Sequence, residues 1–269
     1  MKFRPAFSLI ETLVAIAILS VLGSITVGGI RSARNKAAMT VELNAARNLI
    51  TAYLGHASEN GGRVLPGYKN DPNATNLDGE PLSDPINARY PWRLAPHVPK
   101  IEGNILFNGN EKALNSPNSD YLVSVQPNLG LNATLVGGHF GSGSPLPPTP
   151  RLIQTYGKFH LTNLAESSSP ESLIVFASAR SSTGEPGYFE IRPPNLTKPI
   201  WPSAKFSKSS PPHHHGHVDL RWNQKAVAVM LAGNASLLNE SQLRDMRRWS
   251  HQAANSNQPN FLISPIPSN

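Results

Sequence analysis

The sequence predicts an α+β chain, with one long N-terminal helix followed by a loop-rich domain of short strands. Three observations predict it. Of the 25 prolines, Pro5 stands alone near the start, none occurs in residues 6–65, and the rest lie beyond. Proline inside a helix removes a hydrogen bond and clashes with the preceding turn, so only that stretch can carry a long helix. Apolar spacing inside it has helical period, while the apolar runs beyond it are short and bounded by Gly, Pro and Asn.

Residues 7–30 are almost wholly apolar or small, and Glu11 is the only charge among them. About twenty such residues suffice to cross a bilayer core. Lys2 and Arg4 precede the run and Arg31, Arg34 and Lys36 follow it, so flanking charge alone does not orient it. A cleavable secretory signal is the competing reading, but its apolar part is shorter and ends in a small-x-small site. Here the run continues directly into a helical pattern, and the segment reads as an anchor.

Over residues 32–54 the pattern turns amphipathic. Ala38, Val41, Ala45, Leu49 and Ala52 recur at spacings of three and four, with Leu43, Ile50 and Tyr53 widening the stripe. Gly55, Gly61 and Gly62 offer stops, which gives a continuation over 31–55 and an exported domain over 56–256. Residues 66–118, rich in Pro, Asn, Gly and Asp, read as an irregular surface segment. Strand signals lie at 121–125 (Tyr-Leu-Val-Ser-Val), 172–177 and 188–191, with a Gly/Ser/Pro loop at 137–150. Residues 217–222 alternate Val218, Leu220 and Trp222 on one face. The short turn Asn223-Gln224 joins them to a second apolar run at 226–231, and Gly233-Asn234 turns into a third at 235–238. Asn239 with Gln242 three residues on has the pattern of a capping box. It would open a terminal helix burying Leu243, Met246 and Trp249, and residues 257–269 would form a loose tail.

Composition narrows the function classes. No cysteine is present, which removes thiol catalysis, thiolate zinc sites and iron–sulfur clusters. Formal charge is +7, yet the basic residues are scattered and not interleaved with aromatics, against nucleic-acid binding. His213, His214, His215 and His217 are the most tempting metal ligands, but Pro211-Pro212 precedes them, Gly216 interrupts them, and no helical His-Glu-x-x-His fixes a geometry. The Gly-rich stretch 137–144 lacks the Gly-Lys-Ser/Thr ending of a phosphate loop, and no Gly-x-Ser-x-Gly elbow marks a hydrolase. No catalytic residue, metal ligand or cofactor is expected.

The most specific residues are Arg4-Pro-Ala-Phe-Ser-Leu-Ile-Glu-Thr-Leu-Val-Ala-Ile-Ala-Ile-Leu19. This run resembles the class III signal of type IV pilins and type II secretion pseudopilins. The resemblance implies a cleavable leader over 1–6, a prepilin peptidase cut between Ala6 and Phe7, and N-methylation at Phe7. Glu11 then becomes the fifth mature residue. A carboxylate in a membrane span costs about 2.5–3.5 kcal/mol on insertion scales. In the filament that the resemblance implies, Glu11 pairs with the Phe7 amine of a neighbouring subunit. A second stretch, Arg221-Trp-Asn-Gln-Lys-Ala-Val-Ala-Val-Met-Leu-Ala-Gly-Asn234, is similar to a hairpin of pseudopilin-like proteins in the Planctomycetes–Verrucomicrobia group. It keeps Arg221, Ala226 and Gly233, but Trp222, Ala232 and Asn234 replace the His, Asp and final His there.

The resemblance implies a pilin-like fold, a long helix packed on an antiparallel sheet, here with long loop insertions. It also implies a non-enzymatic subunit of a type II secretion or type IV pilus-like assembly. Its partners would be a prepilin peptidase, other pilin-like subunits and inner-membrane lipid, with the C-terminal domain in the periplasm. The alternatives are a membrane-anchored extracytoplasmic binding protein that does not polymerise and, third, an anchored hydrolase.

Overall fold

The computed structural model describes residues 9–267, the side chains of 23–28 excepted. The chain divides into two compact units, Met1–Thr40 and Val41–Asn269. Helix α1 (Leu9–Glu59) is the one element with residues in both. It continues past Gly55 and stops where Gly61 and Gly62 take positive φ, the Gly62 N–H reaching the Ala57 carbonyl at 2.8 Å. Such a left-handed turn satisfies carbonyls that the last helical turn leaves open, and glycine adopts it without Cβ strain.

The second unit adds α2 (Tyr90–Leu94), α3 (Ser119–Val125), β1 (Leu129–Leu131), α4 (Pro150–Tyr156) and β2 (Ile174–Ser178). Next come β3 (Lys225–Met230), β4 (Ala235–Asn239), α5 (Glu240–Leu243) and α6 (His251–Asn255). The strands form one sheet in the order β1-β2-β3-β4, each pair antiparallel. Chain order and sheet order coincide because the strand pairs are sequential neighbours.

Both sheet faces are buried. On β3, Val227 and Val229 join Leu49, Ile50 and Tyr53 of α1 in one core, while Ala226, Ala228 and Met230 join Trp201, Phe206, Met246 and Trp249 in another. This two-sided cover explains why β2 and β3 read as continuous apolar runs where a half-exposed strand would alternate. Tyr53 meets Phe176 edge-on at 5.6 Å, and Tyr90 meets the same ring at 5.2 Å. Each large apolar side chain buried here contributes roughly 1.5–3 kcal/mol. Most of the expected α1 stripe packs inward: Ala45, Leu49, Ile50, Ala52 and Tyr53 are buried and Ala46 joins them, whereas Val41 is 42% exposed.

Elsewhere the outcome varies by element. Residues 172–177, 226–231 and 235–238 are strands, within a residue or two. Trp222 and Lys225 exchange two backbone hydrogen bonds, at 3.0 and 3.1 Å, across Asn223 (φ 50°) and Gln224 (φ 61°). That is the type I′ geometry whose twist matches antiparallel strands. Residues 121–125 are helical, as part of α3, because a five-residue apolar run fits either period and tertiary contacts decide. Here the Trp92 indole donates to the Asp120 carbonyl and the Arg89 guanidinium to the Ser124 hydroxyl. Residues 188–191 and 217–222 form no strand; each is held by one isolated bridge, Leu131↔Glu190 and Ala179↔Val218, and His217, Arg221 and Trp222 lie in turns.

The segment 66–118 reaches well below the surface, since Tyr90, Trp92, Leu94, Ile105 and Leu106 are all buried. The capping box at Asn239 is present. Leu243, Met246 and Trp249 are fully buried, but the expected single helix is broken into α5, a 3-10 turn at Met246–Arg248 and α6, because Asp245 and Ser250 each cap a new start. Up to residue 267 the expected loose tail is tied down: Ile263 is buried and bonds to the Leu196 carbonyl, and Ile266 bonds to that of Thr155.

Candidate assembly site on the N-terminal helix

Over residues 9–22 the helix carries apolar side chains on every side. Leu9, Leu13 and Leu19 are 86%, 67% and 67% exposed, and Ile10, Val14, Ile16, Ile18, Val21 and Leu22 are exposed as well. At about 100° per residue these positions cover the whole circumference, the pattern of a helix that belongs in lipid or among other helices. The Ser20 hydroxyl donates to the Ile16 carbonyl at 2.8 Å, so its proton is satisfied within the helix. Glu11 lies in the first described turn of the helix. Ala6 and Phe7, at the expected cut, lie outside the described residues. Among the described residues no helix is long and apolar enough to cross a membrane, and side chains of the run 7–30 are described only at 9–22 and 29–30.

In the unit Val41–Asn269 a buried carboxylate fastens the remainder of α1 to the sheet. Glu42 is fully buried. Its Oε1 accepts from the Ser178 hydroxyl of β2, which in turn accepts the Val227 N–H of β3 at 2.9 Å. Its Oε2 accepts from the Trp222 indole at 3.1 Å and lies 3.8 Å from Nε of Arg221. Arg221 also stands 3.2 Å from Asp219 and donates to the carbonyls of Asn128 and Ala179, at 3.2 and 2.7 Å. Burial pushes the Glu42 carboxyl above its ordinary range, against the pull of Arg221 and the hydrogen bonds from Ser178 and Trp222. Asp219 is raised by burial too, again against Arg221. Trp222, just ahead of β3, thus grips the helix.

Sequence reasoning passed over Glu42, although a signal was there. It falls four residues after Ala38 and three before Ala45, on the side of the wheel that packs inward. A charge at such a position demands a partner.

The histidine cluster does not converge. His213 and His214 are exposed, His215 is buried against Trp201 and Phe206, and His217 stacks on Tyr188 at 4.0 Å. Among the described residues no group of three or more His, Asp or Glu could hold a metal ion. Desolvation lowers His217 and, separately, His160 from 6.5 to about 4. Between those values the unfolded chain binds protons that the native chain refuses, so stability falls as pH drops from 6.5 to 4. His160→Phe should therefore flatten the slope of urea-unfolding free energy against pH in that window. An unchanged slope would show that His160 is not desolvated in the native state.

Residues 1–27 match the model of the prokaryotic N-terminal methylation motif, consistent with a prepilin-type cleavage and methylation signal. No curated protein and no solved structure matches the chain.

Proposed function

We propose that a chain opening on this motif is a pilin-like, or pseudopilin, structural subunit of a type II secretion or type IV pilus-like assembly. The reading is carried by the coincidence of the motif with a helix whose apolar side chains face outward on every side. On this reading a prepilin peptidase cuts between Ala6 and Phe7, and the new Phe7 amine is methylated. The helix then holds the chain in the bacterial inner membrane as a single span, with the C-terminal domain in the periplasm. Extraction from lipid into a filament core exchanges one apolar surrounding for another, so area burial alone favours neither state. A charged hydrogen bond between Glu11 and a neighbour's Phe7 amine, in a place without water, supplies both attraction and register.

Mass spectrometry of the native N-terminus tests the first step. Phe7 should be the first residue, carrying a methyl group. Recovery of an intact Met1 terminus from cells with an active prepilin peptidase would sink the reading.

A further inference from the structure

Separate from α1, several loops of the second unit line an open cavity of about 390 Å³. Tyr68 and Arg89 come from the long segment before α3, Tyr121 from α3, His139 from the Gly/Ser/Pro loop, and Glu190 and Arg192 from the extended stretch after Tyr188. The bridges Tyr68↔His139 and Leu131↔Glu190 hold these loops together.

The lining is chemically specific. Glu190 is 1% exposed, His139 3% and Arg89 8%. Glu190 Oε1, His139 Nδ1, Arg89 Nε and Arg192 Nε have no hydrogen-bond partner among the described residues. The other Glu190 oxygen accepts from Arg192 at 3.1 Å, and Arg89 donates to Ser124 at 2.9 Å. Buried donors and acceptors left without partners carry their full desolvation cost. Each of these atoms exposes less than 1 Å², so a ligand reaches them through a small shift of the lining side chains and, in completing them, relieves that cost.

The mixture of groups selects the ligand class. A free anion would face the Glu190 carboxylate, and a cation would face two guanidinium groups. A wholly apolar molecule would leave all four atoms unmatched. A hydroxyl group both donates and accepts, so a ring bearing several of them serves guanidinium, carboxylate and imidazole together. Desolvation lowers the His139 pKa, so its neutral ring offers one donor and one acceptor. Aromatic faces complete the site. Tyr68 lies 4.5 Å from the His139 ring, and Tyr121, at the rim and 45% exposed, lies under Arg89 at 5.1 Å. The volume falls in the ~300–1,000 Å³ range of small-molecule pockets.

We propose that this cavity binds a neutral saccharide of one or two rings. Its hydroxyls meet Glu190, Arg89, Arg192 and His139, and its apolar ring face lies on Tyr68 and Tyr121. The proposal goes beyond the assembly role and stands whether or not the chain polymerises.

The test is calorimetric titration of the full chain, in a detergent without a sugar head group. The probes are maltose, cellobiose, lactose and chitobiose, with inorganic phosphate and glutamate as charged comparators. At least one disaccharide should bind with micromolar to millimolar affinity and tighter than either comparator. Glu190→Gln should weaken it about tenfold, by orphaning the groups that Glu190 matches. Tyr121→Ala, a rim change that leaves the buried groups in place, should weaken it about fivefold. Should Glu190→Gln fail to fold, Tyr121→Ala decides. Binding by none of the four disaccharides at tens of millimolar, tighter binding of phosphate or glutamate, or sugar affinity unchanged in the folded variants would each overturn the proposal.

Discussion

Glu42→Ala should lower the unfolding free energy of the detergent-solubilised chain by about 3–5 kcal/mol, the usual cost of removing one partner from a buried ion pair. The loss is large because two donors, the Ser178 hydroxyl and the Trp222 indole, lose their acceptor together and the Arg221 guanidinium loses one of its two carboxylates. Arg221 retains Asp219 and two carbonyls, so the damage concentrates where α1 meets β2 and β3. Glu42→Gln keeps an oxygen to accept from Ser178 or Trp222 and should cost less than Ala. Glu59→Ala, at an exposed position, serves as control and should change little. Urea unfolding of the three variants measures the series. A loss below about 1 kcal/mol for Glu42→Ala would mean that the buried carboxylate contributes no more than an ordinary hydrogen bond.

Glu11→Leu is expected to have the largest effect on assembly. Leucine inserts into lipid more readily than glutamate, so membrane insertion should persist, and cleavage should persist with it. Crosslinked ladders of the protein in its native membrane should fall sharply against wild type. The domain should keep its fold, because its core is built from residues beyond Val41. If Glu11→Leu forms ladders as well as wild type does, assembly does not depend on this carboxylate. The anchored, non-polymerising reading then takes precedence.

Which parts of the molecule were legible depends on how local their causes are. The long helix was readable because absence of proline and helical spacing act within a few residues of each other. So was the β3–β4 hairpin, where Gly233 (φ 91°) turns the chain and Asn239 caps α5, together with the Asn223-Gln224 turn that leads into β3. β1 was not readable. Leu129, Gly130 and Leu131 have no strand pattern of their own and become one by pairing with Phe176, Ala177 and Ser178. The motif at residues 1–27 was legible as a contiguous run, whereas the saccharide cavity was not. Its side chains are scattered from Tyr68 to Arg192 over segments that look like connectors, and bridges between distant residues bring them together. The Gly/Ser/Pro loop is the clearest case, since it reads as a spacer and supplies His139 to a cavity wall. Glu42 stands between the extremes, because its place on the helix was visible and its partners were not.

On the proposed reading, the Glu42 junction also sets an order of events during export. Glu42 lies 136 residues before Ser178 and 180 before Trp222. A chain that leaves the cytoplasm behind its N-terminal helix presents the inward side of that helix long before β2 and the Trp222 hairpin exist to receive it. Contacts of such sequence separation form late and slowly. Until Trp222 has crossed, the stretch around Glu42, Leu49 and Tyr53 is a bare surface at the membrane face, open to chaperones and to neighbouring chains. The same residues that finish the domain therefore mark the interval in which it can be captured or lost.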